Sequence, residues 1–229
     1  MGQITIRKLG NMDFFREIPK DTLQNLLNES KIVFYKKKEV IFHSRSRTKT
    51  VYFVYSGEVM LYNLTKHGNR KVIFILGKGR LLNQSIVSKK PNALFCEAAC
   101  PVQILEIAEE AFLHLMEQSH DLTRAVLREY ERNLWRMGHQ LKNTTGNMQM
   151  ERKIAAKLWK LGRDFGVNTD EGVMIDIDLT ITLMADLVGA PRENVSRACK
   201  VLTDRGLIRY GNKRFILIDF DGLAKFYKM

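Results

Sequence analysis

The sequence predicts an α+β chain. A β-rich sandwich or barrel fills the first half, one long helix follows, and a winged helix-turn-helix closes the chain. Three observations carry this reading. Short β-branched and aromatic runs, Val51-Tyr52-Phe53-Val54-Tyr55 and Val72-Ile73-Phe74-Ile75-Leu76, recur between Gly57, Gly68, Gly77 and Gly79, as in an all-β domain. Leu127, Tyr130, Leu134, Met137, Leu141 and Thr144 then alternate steps of three and four, the period of a coiled-coil seam. Finally, GAPRENVSRAC, from Gly189 to Cys199, reads as a tight turn and the first half of a two-faced helix.

With 229 residues, 45% hydrophobic and 27% charged, the chain is long enough for two cores. The expected divisions are 1–120 for the β domain, 121–146 for the long helix and a hinge at Gly146, and 147–229 for the second domain. Asp13 to Asn28 reads as a short helical entry. Four stretches follow that look hairpin-like: KIVFYKKKEVIF, TVYFVYSGEVMLYNLT, NRKVIFILGKGRLL and ALFCEAACPVQILEI. EEAFLHLMEQ is a short amphipathic helix, and Asp121 opens the long one, which runs to about Asn143. Arg124, Arg128, Arg132 and Arg136 form a cationic row beside its apolar seam. The seam residues Leu127, Tyr130, Leu134, Met137 and Leu141 are expected to pack on the same helix of a second copy, the alternative being that the stripe packs on the chain's own sandwich.

The second domain opens with ERKIAAKLWKLGRDFG, whose Ile154, Leu158 and Leu161 face inward. LTITLMADLVG supplies the first helix of the reading pair. Thr180 caps it, Met184, Leu187 and Val188 pack, and Gly189 takes the turn that tolerates positive φ. On the next helix Val195, Ala198, Cys199 and Leu202 share the inner side. Glu193, Ser196, Arg197 and Lys200 share the outer side, with Arg192 on its flank. That outer chemistry suits base edges: an Arg forks onto guanine O6 and N7, and a Glu accepts from cytosine N4. Gly206 stops the helix, and IRYGNKRFILI reads as two strands around Gly211-Asn212. Expected DNA contacts are Arg192, Glu193, Asn194, Ser196, Arg197 and Lys200 on the reading helix, Thr180 and Thr182 before it, and Lys213 and Arg214 on the wing.

The net charge of +12 and the pI of about 9.7 favour an anionic partner. Residues 1–146 hold 23 Lys/Arg against 14 Asp/Glu, and residues 147–229 hold 14 against 11, so charge alone does not locate the reader. Phosphate contacts are expected from Lys200, Lys213, Arg214 and Arg209. No stretch has the length of a membrane span, and MGQITIRKLG lacks the apolar core of a secretion signal. Ile6 stands where a myristoylation site needs Ser or Thr. The expected compartment is cytoplasmic. No phosphate-binding glycine loop, paired catalytic carboxylates or nucleophile elbow is visible, so an enzyme is not expected.

With these parts in order, the chain resembles the CRP/FNR family of bacterial transcription regulators over nearly its whole length. VYFVYSGEVMLY followed by GNRKVIFILGKGRLL resembles the family's glycine-marked strands, and RENVSR its recognition helix. The resemblance implies a double-stranded β-helix (jelly-roll) sensor domain, a long dimerisation helix and a winged reader. It also implies a homodimer on a palindromic operator, with RNA polymerase as partner if the protein activates. Helices of the cAMP-receptor type carry Arg, Glu and Arg at the positions of Arg192, Glu193 and Arg197. Those of the FNR type carry Glu, Ser and Arg at Glu193, Ser196 and Arg197. Half-sites of TGTGA or TTGAT kind are both implied.

The departures bear on the effector. The family's ribose-binding Gly-Glu-Leu element reads Asn83-Gln84-Ser85 here, and its phosphate-binding Arg-Ser pair falls near Asn92-Ala93-Leu94. A cyclic phosphate buried without a cation would cost several kcal/mol, so cAMP is not expected. An FNR-type cluster needs four thiolates, and only Cys96, Cys100 and Cys199 exist. Cys96 and Cys100, read on one face of the last strand, are expected as small core residues, with a redox switch as the lesser alternative. Haem is likewise disfavoured. Of His43, His67, His114, His120 and His139, only His139 is placed near the expected pocket. An effector pocket there would be lined by Phe74, Leu82, Gln84, Ser85, Phe95, Trp135 and His139 and would suit a small organic ligand; the equal alternative is that these residues fill the sandwich core and no effector exists. The alternative to a DNA-binding regulator is a ligand-binding signalling module that acts through protein partners; it leaves RENVSR and the wing without a purpose.

Overall fold

A computed structural model describes residues 5–144 and 148–228, with the backbone alone for residues 142–144. Gly146 and the side chain of Thr144 therefore lie outside the described residues. The elements are α1 (Ile6–Gly10), α2 (Lys20–Asn28), β1 (Ser30–Tyr35), β2 (Val40–Phe42), β3 (Thr50–Ser56), β4 (Val59–Leu64), β5 (Arg70–Leu76), β6 (Phe95–Ala98) and β7 (Val102–Ala108). They continue with α3 (Glu109–Gln118), α4 (His120–Thr144), α5 (Met150–Phe165), β8 (Gly166–Thr169), β9 (Gly172–Ile175), α6 (Ile181–Val188), α7 (Arg192–Asp204), β10 (Ile208–Gly211), β11 (Arg214–Leu217) and α8 (Phe220–Lys228). Two compact units result: Met1–Asn63 with Phe74–Met137, and Leu64–Ile73 with Gly138–Met229.

The strands between Ser30 and Ala108 form two sheets, ordered β1-β7-β3 and β2-β6-β4-β5, of which the segment Leu64–Ile73, with the end of β4 and the start of β5, groups with the second unit. Here the hairpin expectation is corrected. β1 pairs with β7 and β2 with β6, so KIVFYKKKEVIF crosses from one sheet to the other. β3 and β4, and β6 and β7, part in the same way. The corners carry the turn chemistry: Lys38 has φ 72° and Gly57 φ 81°. A Cβ on Gly57 would stand 2.7 Å from the carbonyl oxygen of Pro101. β4 and β5, by contrast, are sheet neighbours joined by a short turn, Thr65 N–H donating to Asn69 O at 2.8 Å. The core is aromatic at its centre. Phe14, Phe15 and Phe53 hold ring centroids 4.7 to 5.0 Å apart, and Leu9, Leu26, Phe112 and Leu122 close around them.

The helix α4 runs for 25 residues. Leu122, Ala125 and Val126 are buried against the sandwich, whereas Leu127 (56% exposed), Leu134 (72%), Met137 (51%) and Leu141 (63%) line the outward side. Tyr130 departs from the seam assigned to it. It packs against the core of its own sandwich, because it lies between the inward face and the seam and its ring reaches the apolar side.

In the second unit, α5 buries Ile154, Leu158 and Leu161, and a four-stranded sheet runs in the order β10-β11-β9-β8. The β8–β9 ribbon and α8 were not foreseen. Asp219 opens α8 by accepting the Gly222 N–H at 2.7 Å, and Trp159 of α5 stacks on Phe220 of α8 with centroids 5.7 Å apart.

Candidate nucleic-acid interface

The reading pair is built by local chemistry. Thr180 caps α6, its hydroxyl oxygen accepting the Leu183 N–H at 3.1 Å. Gly189 ends it at φ 71°, ψ 48°, the left-handed cap that glycine adopts without strain. Pro191 precedes α7 without any side-chain cap, its fixed φ suiting the entry. Beyond α7, Gly206 turns the chain at φ 69°. The wing is a two-residue turn with Asn212 and Lys213 both at positive φ, pairing Gly211 with Arg214 and Ile208 with Leu217.

The two faces of α7 separate cleanly. Val195, Ala198, Cys199 and Leu202 are buried. Arg192, Glu193, Asn194, Ser196, Arg197 and Lys200 are exposed. The Arg197 guanidinium donates to Asn194 Oδ1 at 2.6 Å, so one exposed side chain aims the other. Thr182 and Lys213 are exposed as well. Two wing arginines are engaged differently from the expectation: Arg214 pairs with Asp176 and Arg209 with Glu171. Each of these cations is thus already engaged by a carboxylate, whereas Lys213 at the wing tip has no carboxylate within ion-pair distance among the described residues.

The residues assigned to an effector pocket do not come together as expected. Phe74 and Leu82 are buried. Gln84 spends its amide on Leu82 O at 2.8 Å and Ala93 N at 3.2 Å, and Ser85 meets Ser88 at 2.7 Å. Phe95 stacks on Tyr62 at 5.2 Å. Trp135 is 58% exposed and His139 is exposed, so neither lines an interior wall. The inward side of α4 continues instead through Glu129 and Arg136, both buried. Arg136 lies 5.0 Å over the Phe74 ring, and Glu129 accepts from Arg80 at 3.1 Å. Glu129 Oε1 and Asn133 Oδ1 are buried acceptors with no donor among the described residues. These polar residues were missed, although their steps from Val126 of three, seven and ten keep to the inward face.

The thiols are also placed differently. Cys96 is buried on β6, but Cys100 lies in the turn after it and is half-buried. Its Sγ donates to Glu58 Oε2 at 2.9 Å, and burial together with that carboxylate pushes the thiol up to about 11. Burial alone takes Cys199 to about 11 and Cys96 well above the ordinary range, with Glu97 adding to the latter.

A capped helix, a glycine turn, a two-faced helix and a strand-paired wing define a winged helix-turn-helix DNA-binding unit. Comparison with known proteins agrees for both halves. Residues 32–119 match the cyclic nucleotide-binding domain model, and residues 152–226 the Crp-like helix-turn-helix domain model. A CRP-like cAMP-activated global transcriptional regulator of Mycobacterium tuberculosis is 22% identical over 218 residues, 95% of this chain and 97% of that protein. A CooA mutant from Carboxydothermus hydrogenoformans superposes with a TM-score of 0.76 at 18% identity, over 99% of this chain and 97% of that one. The c-di-GMP responsive global regulator CLP of Xanthomonas campestris gives 0.74 at 18%, over 87% and 99%. The chain belongs to the CRP/FNR family and is a DNA-binding transcription regulator.

Proposed function

We propose that the protein acts as a homodimer on a palindromic operator, each α7 entering the major groove of one half-site. Arg197 and Glu193 read base edges, Arg192, Asn194 and Ser196 adjust the fit, and Lys200, Thr180, Thr182 and Lys213 hold phosphates. The observation that carries this reading is the division of α7 into a buried apolar side and an exposed side of Arg, Glu, Asn, Ser and Lys. The exposed leucines and methionine of α4 support pairing through that helix. A signal received by the sandwich and α4 sets the spacing of the two readers.

The signal proposed is not cAMP, since no arginine occupies the phosphate position. Glu129 Oε1 and Asn133 Oδ1, one helical turn apart and without a donor among the described residues, support a small organic molecule that brings its own N–H or O–H groups. Mobility-shift competition tests the reading of bases. Arg197→Ala and Glu193→Ala each cost about 1–3 kcal/mol of preference for a duplex selected by the wild-type protein over random duplex. Unchanged preference in both variants contradicts it.

A further inference from the structure

Lys71 lies near the start of β5, in the Leu64–Ile73 segment that groups with the reading unit. Its Nζ donates to the carbonyl oxygen of Leu187 at 3.2 Å. That oxygen sits in the last turn of α6, where carbonyls lose their helical donors. The N–H groups of Gly189 and Ala190 both go to Ala185 O, at 2.8 and 3.2 Å. The residue whose N–H the helical pattern would send to Leu187 O, four places on, is Pro191, which has none.

The lysine ammonium fills that gap, and it does so at the negative end of the helix, where a cation is favoured. Space is left for it by Gly189, since a Cβ there would stand 2.7 Å from Nζ. The surroundings are charged on several sides. Burial and the nearby Lys153 lower the Lys71 pKa, and burial raises that of Asp186, one residue before Leu187, against the opposing pull of Arg70. Within the same segment Ile73 O accepts from Gln140 at 2.9 Å, a second tie to this unit.

We infer that Lys71 is a positioning residue for the recognition helix: it closes the carbonyl end of α6 that Pro191 leaves open and so fixes the turn from which α7 starts. Arg192 follows Pro191 directly, so the angle of that turn sets where Arg192, Glu193 and Arg197 meet the bases. The inference deepens the proposed reading of bases by α7 and rests on it.

The test compares Lys71→Met and Lys71→Arg in the full chain, using a duplex enriched by the wild-type protein from a random pool and an unselected random duplex. K71M weakens binding to the enriched duplex fivefold or more, leaves the random duplex and the salt slope unchanged, and K71R recovers most of the loss. Without DNA, amide exchange across Val188–Asn194 quickens in K71M while α5 and the rest of α7 keep their protection. Equal weakening on both duplexes, with a salt slope reduced by about one, makes Lys71 an ordinary phosphate contact and overturns the inference. Tighter binding by K71M, or no change in exchange at the turn, overturns it too. Should methionine unfold the protein, Lys71→Ala, which also lacks a donor, is read in the same way. If the wild type enriches no duplex, base reading by α7 fails on its own, and the exchange measurement still decides the role of Lys71.

Discussion

At the scale of single residues, chemistry and exposure disagree with simple type preferences in instructive places. Cys100 is half-buried and reachable, yet its thiol donates to Glu58, and a thiolate there would face a carboxylate. With its pKa near 11, only about one molecule in a few thousand carries the nucleophilic form at pH 7.5. Labelling by a disulfide reagent is therefore slow at neutral pH and rises about tenfold per pH unit up to that value; rapid labelling at pH 7.5 contradicts this account and would revive a redox switch. The reading helix was legible residue by residue because its two faces follow from spacing alone. The inner wall of α4 was not. An apolar preference points Trp135 inward, but the inward row set by Leu122, Ala125 and Val126 continues through Glu129 and Arg136. Those charges are tolerated inside because Arg80 and the face of Phe74 meet them.

At the scale of elements, local signals were readable and partner choice was not. The caps at Thr180 and Gly189, the stop at Gly206 and the Asn212 turn each act within a few residues, so the sequence carries them openly. Which strand pairs with which is settled by contacts across the whole sandwich. β1 and β2 are separated by only four residues but join different sheets, and no local pattern distinguishes that corner from a hairpin. The β8–β9 ribbon lacks the usual signal too, since Gly166–Thr169 is exposed on every residue and shows no alternation. Asp219 before an amphipathic run is a local start signal for α8. Two elements make separate predictions. Lys213→Ala on the wing weakens specific and random duplex alike and lowers the salt slope by about one, read by titration at several salt concentrations; a loss confined to the specific duplex contradicts the phosphate role. Leu134→Asp on α4 costs about 2 kcal/mol or more of association, roughly thirtyfold in the dimer Kd by sedimentation, with the thermal melt of the chain little changed. An unaltered dimer contradicts pairing through that face.

At the scale of the whole molecule, most of the positive charge lies in the first 146 residues, whereas the side chains proposed to read bases sit on a single helix of thirteen residues. On that proposal long-range attraction and base choice have different sources: the former falls with salt, and the latter follows the geometry of α7. One reader offers few base contacts, so the fold predicts that useful affinity comes only when two copies grip one duplex, held together along the outward side of α4. Enrichment of duplexes from a random pool by the wild-type protein tests this most directly. The account predicts an inverted pair of half-sites whose centres lie about one helical turn, 10–11 base pairs, apart. Enrichment of a lone, unpaired motif, or of no motif at all, would contradict it.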